Sequence, residues 1–291
     1  MFELIRAGER TWYIDAPSKM GVFELDGGDI CLIDTGSRGD GEAVLPLLEE
    51  RGWKLRAVYN THAHVDHIGG NRYLHDAAGC PVYVPPLECF FAERPDIGVS
   101  ILSGGAAQPE LRSRFFSAEG CPSVPLSDAD LPEGLEAVPL PGHSHGMCGF
   151  RTCDGVFFAA DSLVGAEALD RYGITFLFDA GAYLESLEKV RAAEASLFVP
   201  SHADACADIA PLADRNTGAV RDAAGFITDF CREPAGFENV LAAVFRRYSL
   251  RMTPQQYVLI GCTVRAYLNM LGHTGVLETV CERDRLLWRA V

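Results

Sequence analysis

The most constraining feature of this sequence is the segment Thr61-His62-Ala63-His64-Val65-Asp66-His67, in which three histidines and an aspartate stand within six positions. It directly follows a predicted strand at residues 55–59. In an extended chain, residues 62, 64 and 66 project to one side, and His67 then points towards a second centre beside the first. Two adjacent centres served by one loop are what a pair of metal ions about 3.5–4 Å apart requires. The segment therefore predicts a two-metal site.

Three later segments contribute side chains of the same chemical kinds. His143 follows a predicted strand at 135–140, Asp161 ends the apolar run at 156–159, and His202 follows a predicted strand at 196–199. Each lies at the end of a strand, where loops converge and functional residues are common. His145, two positions after His143, is a candidate for supporting the metal ligands or contacting a substrate.

Taken in order, these segments resemble the five motifs of the metallo-β-lactamase-fold hydrolase superfamily across residues 1–206. The motifs are Leu32-Ile33-Asp34-Thr35-Gly36, the HxHxDH loop, His143, Asp161 and His202. The resemblance implies an α/β (α+β) fold, an αβ/βα sandwich with the metals at one edge. It implies that the first ion is bound by His62, His64 and His143, the second by Asp66, His67 and His202, and that Asp161 bridges both. Asp34 would hold the ligand loop from behind, a role that such sites generally require.

The donor set of this site favours catalysis over structure. Histidine nitrogen and carboxylate oxygen suit zinc above all, with iron or manganese as alternatives, and no thiolate marks a purely structural zinc site. Seven ligands for two ions leave open positions, and a water bridging the ions would lose its proton near neutral pH and act as the nucleophile. Asp66 is a ligand first and a candidate for orienting that water or accepting its proton.

Two ligand positions distinguish this sequence from other branches of the superfamily and so limit the reactions that the resemblance implies. β-Lactamases of this fold usually lack the aspartate at the position of Asp161, and flavodiiron-type relatives replace the histidine at the position of His64 with an acid. The remaining pattern looks like glyoxalase II-type thioesterases and lactonases. Because residues 162–167 offer no base to hold glutathione carboxylates, we predict hydrolysis of an ester, thioester or lactone of a small molecule. The apolar candidates for the pocket lie in the segment 93–131: Ile101, Leu102, Phe115 and Phe116.

The charge distribution bears on the partner. The formal net charge is −15, and residues 1–206 hold 31 acidic and 15 basic side chains against 9 and 10 in residues 207–291. An acidic body repels phosphate backbones, so nucleic acid is a disfavoured partner. Two alternatives stay open: an RNA- or phosphodiester-cleaving nuclease of the same fold, and an iron-dependent enzyme resembling persulfide dioxygenases, which use mainly one metal.

The order of predicted elements divides the chain. Residues 1–206 predict two sheets covered by helices, the catalytic domain, and 93–131, with Gly-Gly, several prolines and no clean period, predict a lid insertion. In the tail, Thr253-Pro254-Gln255-Gln256 opens a helix to about residue 271, and the segments at 276–280 and 286–289 predict a hairpin. We therefore predict that residues 207–291 form a helical, winged-helix-like domain. Since it lacks a basic face, we expect it to dock or form a homodimer.

No apolar run approaches the roughly 20 residues that a membrane span requires, and the first residues lack the layout of a signal peptide. We therefore expect no membrane partner and a cytoplasmic location.

Overall fold

Two sheets and one hairpin make up the β structure of the computed structural model, which describes residues 2–111 and 117–291. The first sheet contains, in spatial order, β1 (Glu3–Arg6), β2 (Thr11–Asp15), β3 (Met20–Glu24), β4 (Asp29–Ile33), β5 (Lys54–Tyr59), β6 (Val82–Val84) and β7 (Val124–Pro125). The second sheet has the order β11-β10-β9-β8, formed by β8 (Leu135–Pro139), β9 (Cys148–Thr152), β10 (Val156–Ala160) and β11 (Leu197–Pro200). The hairpin pairs β12 (Leu277–Glu282) with β13 (Arg285–Ala290).

Helices cover both sheets. In chain order they are α1 (Gly41–Glu49), α2 (Val65–Ile68), α3 (Asn71–Ala78), α4 (Cys89–Glu93), α5 (Pro95–Ser103), α6 (Ala166–Tyr172), α7 (Ala180–Arg191), α8 (Ala210–Phe230), α9 (Phe237–Arg247) and α10 (Pro254–His273). The predicted strands of residues 1–206 all fall on observed strands, which confirms the α/β sandwich.

Three apolar clusters define the layers. One lies between the two sheets and joins Phe23, Ile33 and Tyr59 of the first sheet to Phe150 and Phe158 of the second. A second packs α1 and α3 onto the outer face of the first sheet, and a third packs α7 to α10 onto the outer face of the second. The strand β10 of the second sheet is buried on both faces for this reason, and Val156 to Ala160 are all buried.

Strand direction brings the motif loops to one edge. β4 and β5 run parallel, as do β10 and β11, and β8 has the direction of β10 because both pair antiparallel with β9. The carboxyl ends of β8, β10 and β11 therefore meet at one edge of the second sheet, and those of β4 and β5 meet at one edge of the first.

The C-terminal segment confirms the predicted helix and hairpin as α10 and β12–β13. Its helices share a continuous apolar cluster with the second sheet, in which Val264 and Leu268 of α10 join Phe157 and Phe198 of β10 and β11. The division at residue 206, the winged-helix assignment and the homodimer stay predictions.

The segment predicted as a lid folds partly against the C-terminal helix. Val99 and Leu111 form a small apolar cluster with Val258 of α10, and the Gln255 side chain donates a hydrogen bond to the Glu110 carbonyl at 2.8 Å. Phe115 and Phe116 lie outside the described residues. Within residues 2–111 and 117–291, no helix has the length and apolarity needed to cross a membrane.

Candidate metal centre

The predicted ligands gather in two adjacent groups. The first group comprises His62, His64, His143 and Asp161, and the second comprises Asp66, His67 and His202. Within each group, the candidate ligand atoms all lie within 4.8 Å of one another. This division matches the sets that the family resemblance implies, and the structure thus brings together all seven residues from separate loops.

Asp161 lies between the two groups. Its Oδ2 is 3.2 Å from His143 Nε2 in the first group and 3.3 Å from His202 Nε2 in the second. Its Oδ1 is 3.4 Å from His67 Nε2. A carboxylate with both oxygens placed among nitrogens of two groups has the arrangement of a bridging ligand.

Buried atoms without hydrogen-bond partners show that the site suits cations. His62 Nε2, His67 Nε2 and Asp161 Oδ1 are buried and have no hydrogen-bond partner. Each such atom costs about 1–3 kcal/mol if it stays unpaired, so a native protein rarely leaves three of them in one place. A divalent ion would satisfy all three, and these donors are of the kinds that zinc, iron and manganese accept.

In three of the histidines, a hydrogen bond at Nδ1 leaves Nε2 as the ring nitrogen that faces the metal centre. Nδ1 of His67 lies 2.9 Å from Asp34 Oδ2, Nδ1 of His62 lies 3.0 Å from the Thr61 hydroxyl, and Nδ1 of His202 lies 2.8 Å from the Pro17 carbonyl. With Nδ1 engaged as a donor, Nε2 is the nitrogen left to bind a metal, which it does once it carries no proton.

Asp34 is hydrogen-bonded to the ligand loop, the place that the family resemblance implies for it. It lies directly after β4 with a φ of 60°, is 2% exposed, and accepts hydrogen bonds from the Thr61 amide at 2.8 Å and the Thr61 hydroxyl at 2.7 Å in addition to its contact with His67. Aspartate is among the few residues that tolerate a left-handed backbone. The carboxylate therefore connects β4 to the loop after β5.

The electrostatics differ between the two groups. Burial lowers the pKa of His143 to about 3 and also lowers the pKa values of His62 and His64. These three imidazoles are neutral at physiological pH, the form in which histidine binds metal.

In the second group the carboxylates dominate. Asp161 is the main cause that raises the pKa of His202 to about 10. Burial lowers the pKa of His67, but Asp161, Asp66 and Asp34 outweigh it and hold that pKa well above the ordinary value. Without metal this group thus retains protons, and a bound cation would replace their positive charge.

The backbone of the HxHxDH loop differs from the extended chain that we expected. His64 is extended, with φ −72° and ψ 148°, whereas residues 65–68 form the helix α2. Asp66 therefore turns away from His62 and His64 and joins His67, because successive helical residues do not alternate between two faces. The residue after this helix is Gly69, and a side chain does not fit there because a Cβ would clash with the Ser37 carbonyl carbon.

Glu88 is a buried acid that sequence reasoning missed. It is 3% exposed, and its carboxylate accepts hydrogen bonds from the Ala63 amide at 3.3 Å, the Ser144 hydroxyl at 2.8 Å and the Gly146 amide at 2.7 Å. It therefore joins the loop that holds His62 and His64 to the loop that holds His143. No motif identifies it, because the contact is made between segments far apart in sequence.

Aromatic side chains near the centre come from a segment that we had not singled out. The Phe176 ring lies 5.6 Å from the His64 ring and 5.7 Å from the His143 ring, between centroids. His145 is exposed, belongs to neither ligand group, and packs edge-on against Phe178 at 5.2 Å. Its role as a supporting or substrate-contacting group stays a prediction.

Comparison with known proteins agrees with this geometry. Residues 15–202 match the model of the metallo-beta-lactamase superfamily. The chain belongs to this superfamily. The matched range includes all seven candidate ligands and Asp34, and the superfamily fold implies divalent metal ions.

Among curated relatives, a hydroxyacylglutathione hydrolase of Methylobacillus flagellatus is 32% identical over 129 residues, which are 44% of this chain and 42% of that protein. An atrochrysone carboxyl ACP thioesterase of Paecilomyces divaricatus is 26% identical over 196 residues, 62% of this chain and 52% of that protein. The matches thus span about half the length of these relatives.

Two solved structures resemble almost the whole chain. A beta-lactamase domain protein from Burkholderia ambifaria has a TM-score of 0.73 at 16% identity, covering 99% of this chain and 95% of its own. A metallo-beta-lactamase family protein from Thermus thermophilus has a TM-score of 0.70 at 17% identity, covering 100% and 98%. At such identities the likeness concerns the fold alone. It extends over almost the whole chain, including the C-terminal helices.

Proposed function

We propose that the protein is a dinuclear metal-dependent hydrolase that cleaves an ester, thioester or lactone bond of a small molecule. The observation that carries the proposal is the placement of Asp161, whose two oxygens face nitrogens of both ligand groups. The first ion would be held by His62, His64 and His143, and the second by Asp66, His67 and His202. Two bound ions, zinc being our first choice, would supply an activated water and a Lewis acid for the carbonyl oxygen.

The residues of the chain then have distinct tasks. Asp66 Oδ2 accepts a hydrogen bond from the Ser18 hydroxyl at 2.8 Å and lies 3.2 Å from His202 Nε2, so its carboxylate is held at the rim of the centre. Although burial raises the pKa of Asp66, His67 and His202 hold it well below the ordinary value, so the ionised carboxylate would orient the attacking water as a hydrogen-bond acceptor. Asp34 keeps His67 in place, and burial of His62 and Asp161 excludes bulk water from the inner side.

The substrate class rests on relatives and on charge. The two curated relatives named above carry the names of thioester-cleaving enzymes, which favours a thioester or a related carboxylic ester. The excess of 31 acidic over 15 basic side chains in residues 1–206 disfavours RNA and other polyanions. We therefore propose a small, uncharged or weakly charged substrate.

The test combines metal analysis with a substrate panel. Protein loaded with zinc, iron or manganese is assayed on thioesters, aryl esters, lactones, phosphodiesters and RNA, and bound metal is measured by mass spectrometry. We expect two ions per chain and hydrolysis of a carboxylic ester or thioester.

Single variants complete the test. His62→Ala and Asp161→Ala should lose metal and activity, whereas His273→Ala, which changes an exposed histidine bonded to its own helix, should lose neither. Full activity with an empty or half-filled site would overturn the two-metal proposal, and cleavage of RNA alone would overturn the charge argument.

A further inference from the structure

The segment between α6 and α7 presents aromatic side chains to the metal centre. Phe176 is half-buried beside the rings of His64 and His143, two ligands of the first group, and Phe178 is 48% exposed beside His145. A single exposed apolar side chain is ordinary on a protein surface, but a cluster of them is informative. An exposed ring and a half-buried ring together at the rim of a polar centre indicate a surface that a ligand covers.

The inner side of the same segment is firmly anchored. Ile174 is 4% exposed and Leu177 fully buried, and both belong to the apolar cluster under the second sheet. The amides of Phe178 and Asp179 both donate to the Gly142 carbonyl at 2.9 Å. Since Gly142 precedes the ligand His143, the distance between the aromatic rings and the metal centre is fixed by backbone hydrogen bonds.

The C-terminal helix α10 provides the remaining anchor. The Leu177 amide donates to the Thr263 hydroxyl at 3.2 Å, and that hydroxyl donates to the Leu259 carbonyl, also at 3.2 Å. Thr263 is fully buried, so water cannot replace it as the acceptor. Gly173 packs so closely on the C-terminal segment that a Cβ there would clash with the Tyr248 ring.

The chemistry around this segment selects an apolar group. Residues 162–178 contain a single basic side chain, that of Arg171, and its guanidinium lies over the neighbouring Tyr172 ring at 5.2 Å. Leu87, which is 58% exposed, also borders the loop of His143, where a Cβ on Gly146 would meet it at 3.2 Å. Apolar side chains from two separate segments therefore lie beside the His143 loop.

We propose that residues 174–178 form an acyl-binding wall, in which Phe176 selects substrates with an apolar acyl group and α10 holds the wall in position through Thr263. The inference rests on the proposed hydrolase function and adds the substrate class. It also assigns a role to the C-terminal segment, which positions residues 174–178 of the same chain.

Binding measurements test the wall independently of hydrolysis. Calorimetric titration of zinc-loaded protein with acetate, butyrate and hexanoate should show affinity rising by up to about fourfold for each methylene that the wall covers. Phe176→Ala should flatten this dependence, while Phe230→Ala, which removes an equally half-buried ring from α8, should preserve it. Bound zinc should be unchanged in both variants.

Hydrolysis provides a second readout. With acetyl, butyryl and hexanoyl thioesters of one thiol, kcat/KM of Phe176→Ala should fall at least tenfold more for hexanoyl than for acetyl. The proposed acyl-binding wall would be overturned if Phe176→Ala lost the same factor of kcat/KM for every chain length. It would also be overturned if the affinity of the wild-type protein for carboxylates did not depend on chain length. If no ester or thioester is cleaved, the proposed function is wrong, and the carboxylate titration still decides on the wall.

Thr263 is a positioning residue and has its own test. Thr263→Val leaves the buried Leu177 amide without an acceptor and should weaken the chain-length dependence without changing bound zinc, whereas Thr263→Ser should restore it. The control Thr228→Val changes a threonine on α8 whose hydroxyl donates back to the Ala224 carbonyl, and it should keep the full dependence. Unaltered selectivity in Thr263→Val would refute the role of α10.

Discussion

Replacing Glu88 tests whether the metal centre depends on a carboxylate that touches no metal. Glu88 stands just before α4, is 3% exposed, and accepts hydrogen bonds from the Ala63 amide, the Ser144 hydroxyl and the Gly146 amide. Through these three donors it holds together the two loops that carry the first group of ligands. We expect its loss to affect stability and metal affinity together.

The size of the effect follows from the number of donors left unpaired. Glu88→Gln keeps the volume, and its carbonyl oxygen can still serve Ser144 and Gly146, but its amide group then faces the Ala63 amide. One buried donor without a partner lowers the free energy of unfolding by about 1–2 kcal/mol. Glu88→Ala leaves all three donors without the carboxylate, for which we expect about 3–4 kcal/mol.

Metal affinity should fall in the same order. Groups that orient metal ligands typically contribute about 10–100-fold to affinity, so we expect about tenfold for Glu88→Gln and more for Glu88→Ala. Denaturant unfolding of the metal-free protein and zinc competition with a chelator measure the two quantities separately. Glu93→Gln, an exposed change on the neighbouring α4, serves as control. Wild-type stability and zinc affinity in Glu88→Ala would refute the reasoning.

Three further changes have defined outcomes. Asp34→Asn weakens the hold on His67 Nδ1 and should lower zinc affinity about 10–100-fold in chelator competition; unchanged affinity would contradict this role. Chelation should lower Tm, because zinc at 100 times its Kd adds about 2.7 kcal/mol; a Tm independent of metal would argue against a bound ion. Asp154→Asn should lower the free energy of unfolding by about 1–3 kcal/mol, since the carboxylate accepts hydrogen bonds from Thr11, Thr152 and the Arg10 amide. Although burial raises the pKa of Asp154, these bonds hold it below its ordinary value, so its contribution is complete above the ordinary carboxyl pKa and declines as pH falls further. A difference from wild type that does not shrink as pH falls below about 4 would contradict this.

Much of the fold was readable from local pattern. Apolar runs predicted most of the strands of residues 1–206, though neither β1 nor β7. The capping box at Thr253 predicted α10, where the Thr253 hydroxyl accepts a hydrogen bond from the Gln256 amide at 3.2 Å. The helix α2 escaped prediction because it is four residues long, too short for any periodicity to appear. Its consequence is that Asp66 belongs with His67 rather than with His62 and His64.

The surroundings of the site were much less readable than the ligands. We expected the apolar wall in residues 93–131, yet the described aromatic neighbour of His64 and His143 is Phe176. Hydrophobic residues in a sequence do not reveal whether they face a core or a pocket, since both environments select the same side chains. Glu88 and Thr263 were invisible for a related reason, because their partners Ala63 and Leu177 lie 25 and 86 positions away.

The sequence alone determined the ligand chemistry of the HxHxDH loop and of the later motifs, because metal binding demands particular donor atoms whatever the surrounding fold. The family resemblance already implied how those donors divide into two groups with Asp161 between them, whereas only the tertiary structure decided the distances within and between the groups and which side chains border the centre. The physical reason is that coordination, hydrogen bonding and burial are set by distances across the parallel strand ends of two sheets. Those distances depend on packing between segments that the order of residues does not place side by side.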